Sequence, residues 1–245
     1  MSTLRIVFLL SLVIFSSNYT MEDNFKHVLQ GFEEKKIGKD YLINLMESLR
    51  KKKYHPITEN YVKNEKAFKK HFVMINDNKG FIEYQQNYKD MFYGIKPLSY
   101  NGASLIAIYN VLYHLNKAEK KDFLKIIKSF ENDGIILEGK FGTSIKAVED
   151  YIKKKGLRTE NSRNKNNYED IGSKADASIF IFYKKDDGLQ PIHFVAITKN
   201  TEKFNVHNYK GISHQKAFDS MKDVLEAFYS EKISDISLIG IYKNE

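Results

Sequence analysis

The stretch Ser99-Tyr-Asn-Gly-Ala-Ser-Leu-Ile-Ala-Ile-Tyr-Asn-Val-Leu-Tyr-His-Leu115 limits what this chain can fold into more than any other. From Ala103 on, Leu105, Ile108, Leu112 and Leu115 recur at helical spacing, and Ile106 and Val111 widen the apolar arc. A helix apolar over so much of its circumference has to be buried, so the remaining elements must cover it on several sides. The turn dipeptide Asn101-Gly102 precedes it and can bring the chain sharply into the helix. Ala103 then falls in the expected first turn, where N–H groups lack intrahelical partners and the helix dipole favours an anion. A thiol at such a position ionises readily, and a cysteine placed there by Ala103→Cys is expected to be unusually acidic. The chain itself offers only a methyl group.

The rest of the composition removes other chemistries. With 245 residues, no repeat and no low-complexity tract, the chain can bury a sizeable core as one domain plus an extension. The formal net charge is +8. Over residues 21–75 twelve Lys/Arg face eight Asp/Glu, and the one dense run is Arg50-Lys-Lys-Lys53. No nucleic-acid-binding motif accompanies that run, which reads as a solvated helix end, so no nucleic-acid partner is expected. Zero cysteines leave no disulfide, no thiolate metal ligand and no thiol nucleophile. The seven histidines show no His-Glu-x-x-His or similar spacing, so neither a metal nor another cofactor is expected.

Three regions follow along the chain. Residues 1–20 carry one charge, Arg5, before the apolar run Ile6–Phe15, which suits a signal-peptide core or weak anchor. About ten apolar residues are too few to span a bilayer, which takes about twenty. An exported or membrane-associated bacterial protein is therefore expected, with a cytoplasmic product starting at Met21 as the alternative. Residues 21–75 read as a helical extension of two or three amphipathic helices, with Phe25, Val28, Leu29 and Phe32 on one face and Tyr41, Leu42, Leu45 and Leu49 on another. Residues 76–245 form the main domain. There the buried helix is followed by a helix over 119–132, one capped by Thr143 or Ser144 and stopped at Gly156, and one holding Met221, Val224, Leu225 and Phe228. Strands are expected at Ser178–Tyr183, Ile192–Thr198, Lys203–Tyr209 and Ile236–Tyr242. Helices first and a mostly antiparallel sheet afterwards is an α+β order.

Two polar side chains can be paired by register. If Ile192–Thr198 and Lys203–Tyr209 form a hairpin turning at Asn200-Thr201, opposed residues carry numbers summing to 401: Ile197 with Phe204, Val195 with Val206, His193 with Asn208. Opposed β-carbons on one face lie about 5 Å apart, within hydrogen-bonding reach for His and Asn. An Asn held against an imidazole fixes its tautomer, as a general base requires. A one-residue slip would separate them onto opposite faces.

The order Asn101-Gly-Ala103, Gly142-Thr-Ser144, Gly156-Leu157, His193-Phe-Val-Ala-Ile197 and Val206-His-Asn-Tyr-Lys-Gly211 resembles the papain-fold cysteine peptidases that cut double-glycine leaders from bacteriocins. It is more similar still to their stand-alone relatives in clostridia-like bacteria. The resemblance covers about residues 90–242 and implies a papain-like fold, a central buried helix packed on a mostly antiparallel sheet. It maps the nucleophile to Ala103, the base to His193 and the orienting residue to Asn208, where the family usually has an Asp followed by Pro. The family's oxyanion-donating Gln falls on Pro97, so that role passes to Asn101 or to backbone N–H groups. Ser104, about 100° further round the helix, does not replace the thiol, and Tyr93, Tyr100 and Tyr109 read as cleft wall and core. The resemblance thus implies a peptidase-type protein inactive as given, a natural pseudo-peptidase or a Cys-to-Ala variant, that binds an extended peptide in its cleft. The alternatives are a non-catalytic module for peptide or protein partners, and a different amide-processing enzyme on the same fold.

Overall fold

The computed structural model describes residues 20–52, 58–184, 192–201, 203–209 and 217–244. The expected signal segment thus lies outside the described residues, save Thr20. Among the described residues, no helix is long and apolar enough to cross a membrane. The chain divides into two compact units, Met1–Leu45 and Met46–Glu245.

Helix α1 (Met21–Glu33) belongs to the first unit. It starts in a capping box between Thr20 and Asp23 and buries Phe25, Val28, Leu29 and Phe32, the face its spacing indicates. Helix α2 (Lys39–Ser48) buries Leu42, Ile43 and Met46, so the expected face at Tyr41, Leu45 and Leu49 is turned by part of a helical turn.

In the second unit the basic run is not a helix end. Arg50–Lys52 forms strand β1, antiparallel to β4 (Asp133–Ile136). The Arg50 side chain, 6 % exposed, meets three carboxylates: Asp133 at 2.7 Å, Glu47 at 3.1 Å and Asp150 at 3.2 Å. Three acceptors around one planar guanidinium compensate its desolvation and explain why a charged residue sits inside. Helix α3 (Thr58–Asp77), expected within the 21–75 extension, lies in this larger unit, where Phe68 packs against Phe123.

The main sheet has six antiparallel strands in the order β5-β10-β6-β7-β8-β9. They are β5 (Leu157–Ser162), β6 (Ala177–Tyr183), β7 (Ile192–Asn200), β8 (Lys203–His207), β9 (Ala217–Phe218) and β10 (Ser234–Lys243). A ribbon of β2 (Phe92–Tyr93) and β3 (Lys96–Pro97) leads into the short helix α4 (Leu98–Asn101) and then the central helix α5 (Ala103–His114). All ten residues from Ala103 to Leu112 are buried, as the apolar arc demands. Helices α6 (Asp122–Asn132) and α7 (Ile145–Lys154) follow, the latter capped by Ser144. Helix α5 packs on β6 and β7 from one side of the sheet. The other side is covered by α8 (Tyr168–Lys174) and α9 (Met221–Tyr229), whose Ile171, Met221, Val224 and Phe228 close over Phe180, Val195, Ile197 and Leu238. With both faces buried, the central strands read as nearly continuous apolar runs. This is the expected α+β arrangement, a buried helix on a mostly antiparallel sheet.

Candidate functional site

The entry to α5 is held from two sides. From α3, Asn64 exchanges two hydrogen bonds with the Phe92 backbone at 2.6 and 2.8 Å, and Asn60 donates to the Gly94 carbonyl at 2.7 Å. Buried Glu131 of α6 accepts from the Gly94 N–H at 2.9 Å and from Asn60 at 3.1 Å. Burial pushes its carboxyl above the usual range. From the other side the Asn101 amide donates to the Tyr93 carbonyl at 2.9 Å and to the Gly139 carbonyl at 2.7 Å. Gly139 has φ +92°, and a β-carbon there would stand 2.5 Å from the Tyr93 oxygen, so only glycine allows this approach.

The turn expected at Asn101-Gly102 is helical instead. Gly102 has φ −79° and ψ −4°, and its N–H reaches back to the Leu98 carbonyl at 2.8 Å. A β-carbon on Gly102 would lie 2.6 Å from that carbonyl, so glycine lets α4 run into α5 almost without a break. The helical path therefore begins at Leu98, capped by Pro97, and its leading N–H groups are taken: Leu98 donates to Met91 at 2.8 Å and Ser99 to Tyr88 at 3.2 Å. Ala103, 8 % exposed, sits more than a turn inside that path, away from the dipole's positive end. The next residue, Ser104, forms a buried hydroxyl chain with Thr143 and Tyr93, at 2.7 Å from Ser104 to Thr143 and 3.0 Å from Thr143 to Tyr93. Both of Asn101's N–H groups are likewise engaged, which leaves its amide no donor for an oxyanion.

The hairpin of β7 and β8 forms with a different register. Asn200 faces Lys203 and Ala196 faces His207, a number sum of 403 in place of 401. Pairing runs one residue nearer the turn on β7 and starts one residue later on β8, which adds the Asn200–Lys203 pair. A slip of two keeps every side chain on its expected face but separates His193 and Asn208 as direct partners. His193 lies opposite Phe182, their rings stacked at 5.2 Å, on the face that α9 covers. It therefore shares no face with α5. Asn208 has left the strand, with φ +56°. Its carboxamide oxygen accepts from the Gln85 N–H at 2.8 Å, and Gln85 in turn donates to the Leu98 carbonyl at 2.9 Å. Asn208 thus reaches the start of the α4–α5 path through Gln85, while His193 stands on the far side of the sheet. The four expected site residues are not brought into one constellation.

The imidazole on the α5 side is His207, which the sequence reading passed over. Its Nδ1 lies 2.7 Å from Glu83 Oε1 and its Nε2 2.8 Å from Thr198 Oγ1. Glu83's other oxygen accepts from the Asn208 N–H. The Phe81 ring stacks on the imidazole at 4.2 Å, and Tyr113 of α5 meets Phe81 edge-on at 5.4 Å. Carboxylate, imidazole and hydroxyl stand in the order of a proton relay. Yet Glu83, His207 and Thr198 are 5 %, 3 % and 1 % exposed, so no substrate reaches the hydroxyl. The group acts as a clamp that ties 81–85 to the end of β8. In the observed register His207 pairs with Ala196 and stands diagonal to Thr198, whereas the expected register kept it on the same face but opposite Phe194, out of reach of Thr198.

Fold and site together define an α+β domain with a central helix whose entry is filled by structural amides and hydroxyls. No protein-family model matches the chain, and no curated protein does. Among solved structures it is similar to the peptidase domain of Streptococcus ComA, a bi-functional ABC transporter involved in a quorum sensing pathway. The two share 13 % identity over 58 % of this chain and 91 % of that one, with a TM-score of 0.39.

Proposed function

We propose that this chain is a papain-type domain without a nucleophile, which holds a peptide or protein segment and does not cut it. The observation that carries the reading is the filled entry of α5. The reactive position holds the methyl of Ala103, and the amides of Asn101 and Asn208 are spent on carbonyls and on Gln85. A methyl group has no lone pair with which to attack a carbonyl, so no acyl-enzyme can form. The order of elements, a buried helix followed by an antiparallel sheet with His193 on one strand, supports the papain-type part of the reading. An amide-processing role for His193 is less well supported, since that imidazole is stacked on Phe182 away from the helix entry.

The test is incubation of the purified protein with a peptide library that includes Gly-Gly sequences, read by mass spectrometry for cleavage and by titration for binding. Binding without cleavage is expected. Turnover that disappears in His193→Ala or Thr198→Ala would overturn the reading, as would failure to bind any peptide.

We further propose that residues 1–20 direct the protein out of the cytoplasm, a reading supported by Arg5 and the run Ile6–Phe15. A reporter fused to the C-terminus is expected outside the cytoplasm. A wholly cytoplasmic product beginning at Met21 would rule export out.

A further inference from the structure

A recess lies away from the entry of α5, at the other end of that helix. It is a largely open recess of about 820 Å³ between α3 and the turn leading from α5 to α6. Its apolar walls are Phe72, 39 % exposed, and Tyr113, and its rim carries Lys117 and Lys120. The carboxylates at the same rim are already neutralised: Glu119 pairs with Lys121 at 2.9 Å and Asp122 with Lys125 at 2.7 Å. Lys120 lies 5.7 Å from the Phe72 ring centroid and donates to the neutral Asn76 side chain, and Lys117 has no carboxylate partner among the described residues. The recess therefore joins an exposed aromatic wall to two uncompensated cations.

The neighbouring face of α3 extends the pattern. Tyr61-Val62 and Phe72-Val73 are eleven residues apart, about three turns, so both pairs point to the same side of the helix. Val62 and Val73 are each 63 % exposed, and Lys66 and Lys69 between them have no ion-pair partner among the described residues. An apolar stripe interrupted by unpaired lysines fits a partner with the complementary pattern.

We infer that the Phe72–Tyr113 recess is a docking site for an acidic segment of a partner protein, which inserts an apolar side chain between the rings and sets flanking carboxylates against Lys117 and Lys120. The inference does not depend on the reading of the α5 entry, and its test leaves that entry untouched.

The probe is a short fluorescein-labelled peptide in which Glu alternates with Leu, followed by fluorescence anisotropy on the full chain. Controls are the same peptide with Ser for Leu, the same peptide with Lys for Glu, phosphatidylserine vesicles and a single-stranded oligonucleotide. The Glu–Leu peptide is expected to bind, more weakly as salt rises, and at least about tenfold more tightly than either control peptide. Lys117→Glu with Lys120→Glu is expected to weaken it about tenfold or more, and Phe72→Ser similarly. These side chains are exposed enough for the variants to fold, and Lys117→Gln with Lys120→Gln gives a milder version of the same loss. Equal binding of the Glu–Ser peptide, or binding unchanged by Phe72→Ser, overturns the inference. So does binding of the vesicles or the oligonucleotide that exceeds that of the peptide and is lost in the same lysine variants.

Discussion

Replacing His207 by Ala is expected to destabilise the fold by about 3–5 kcal/mol, the usual result of removing one member of a buried polar pair. The loss has three sources. Glu83, 5 % exposed, keeps its bond to the Asn208 N–H but loses the imidazole at 2.7 Å, and a buried carboxylate without enough partners is costly. Thr198, 1 % exposed, loses the imidazole at 2.8 Å, leaving its hydroxyl inside the sheet without that partner. The Phe81 ring loses the stack at 4.2 Å, a contact worth about 0.5–1.5 kcal/mol for an aromatic pair. For a chain of this size each kcal/mol lowers the melting temperature by about 2–4 °C, so a fall of about 6–20 °C is expected in a thermal melt. Glu83→Gln should cost less, and the double variant should cost clearly less than the sum, since both changes break one shared bond. If His207→Ala melts within about 2 °C of the parent, the relay is not the clamp its geometry suggests.

How much of this was open to a reader of the sequence depends on what each feature rests on. The burial of α5 was legible because periodicity reports burial directly, and the same holds for the faces of α1 and α9 at Phe25–Phe32 and Met221–Phe228. Helix α8 and strand β5 were not legible. β5 reads Leu-Arg-Thr-Glu-Asn-Ser, six mostly polar residues at the sheet edge, where only Leu157 and Ser162 are buried and β10 supplies the pairing. Strand β1 was hidden for another reason. Its Arg50 looks like surface until Asp133 and Asp150, from distant parts of the chain, join the neighbouring Glu47 around it. The helix entry was misread because Asn-Gly has two uses. A turn is the commoner, but here Gly102 lets the chain pass close over the Leu98 carbonyl within a helical path. The hairpin shows how a small error moves chemistry. A slip of two left all faces correct and the core prediction intact, yet it hid the pairing that puts His207 beside Ala196, with Glu83 and Thr198 in reach.

The same reassignment reverses the expectation for a thiol at the helix entry. A cysteine at the leading turn of α5, facing an imidazole, would ionise well below the ordinary value of about 8.5. In the structure the leading turn is at Leu98 and its N–H groups are bonded to Met91 and Tyr88, so the dipole's positive end does not fall on residue 103. The position is 8 % exposed, and His193 lies on the opposite side of the sheet. Burial disfavours a thiolate. Ala103→Cys is therefore expected to yield a thiol whose pKa lies above about 8.5. Each unit of that rise lowers the thiolate fraction near neutral pH about tenfold, so iodoacetamide should alkylate it at least about tenfold more slowly than free cysteine. Adding His193→Ala should leave the profile unchanged. The measurement is the alkylation rate between pH 5 and 10 for Ala103→Cys alone and with His193→Ala. A thiol more acidic than free cysteine, whose pKa rises when His193 is removed, would mean that the imidazole and the helix entry do meet in solution. The site would then have papain-type geometry, and one substitution would separate the protein from a working nucleophile.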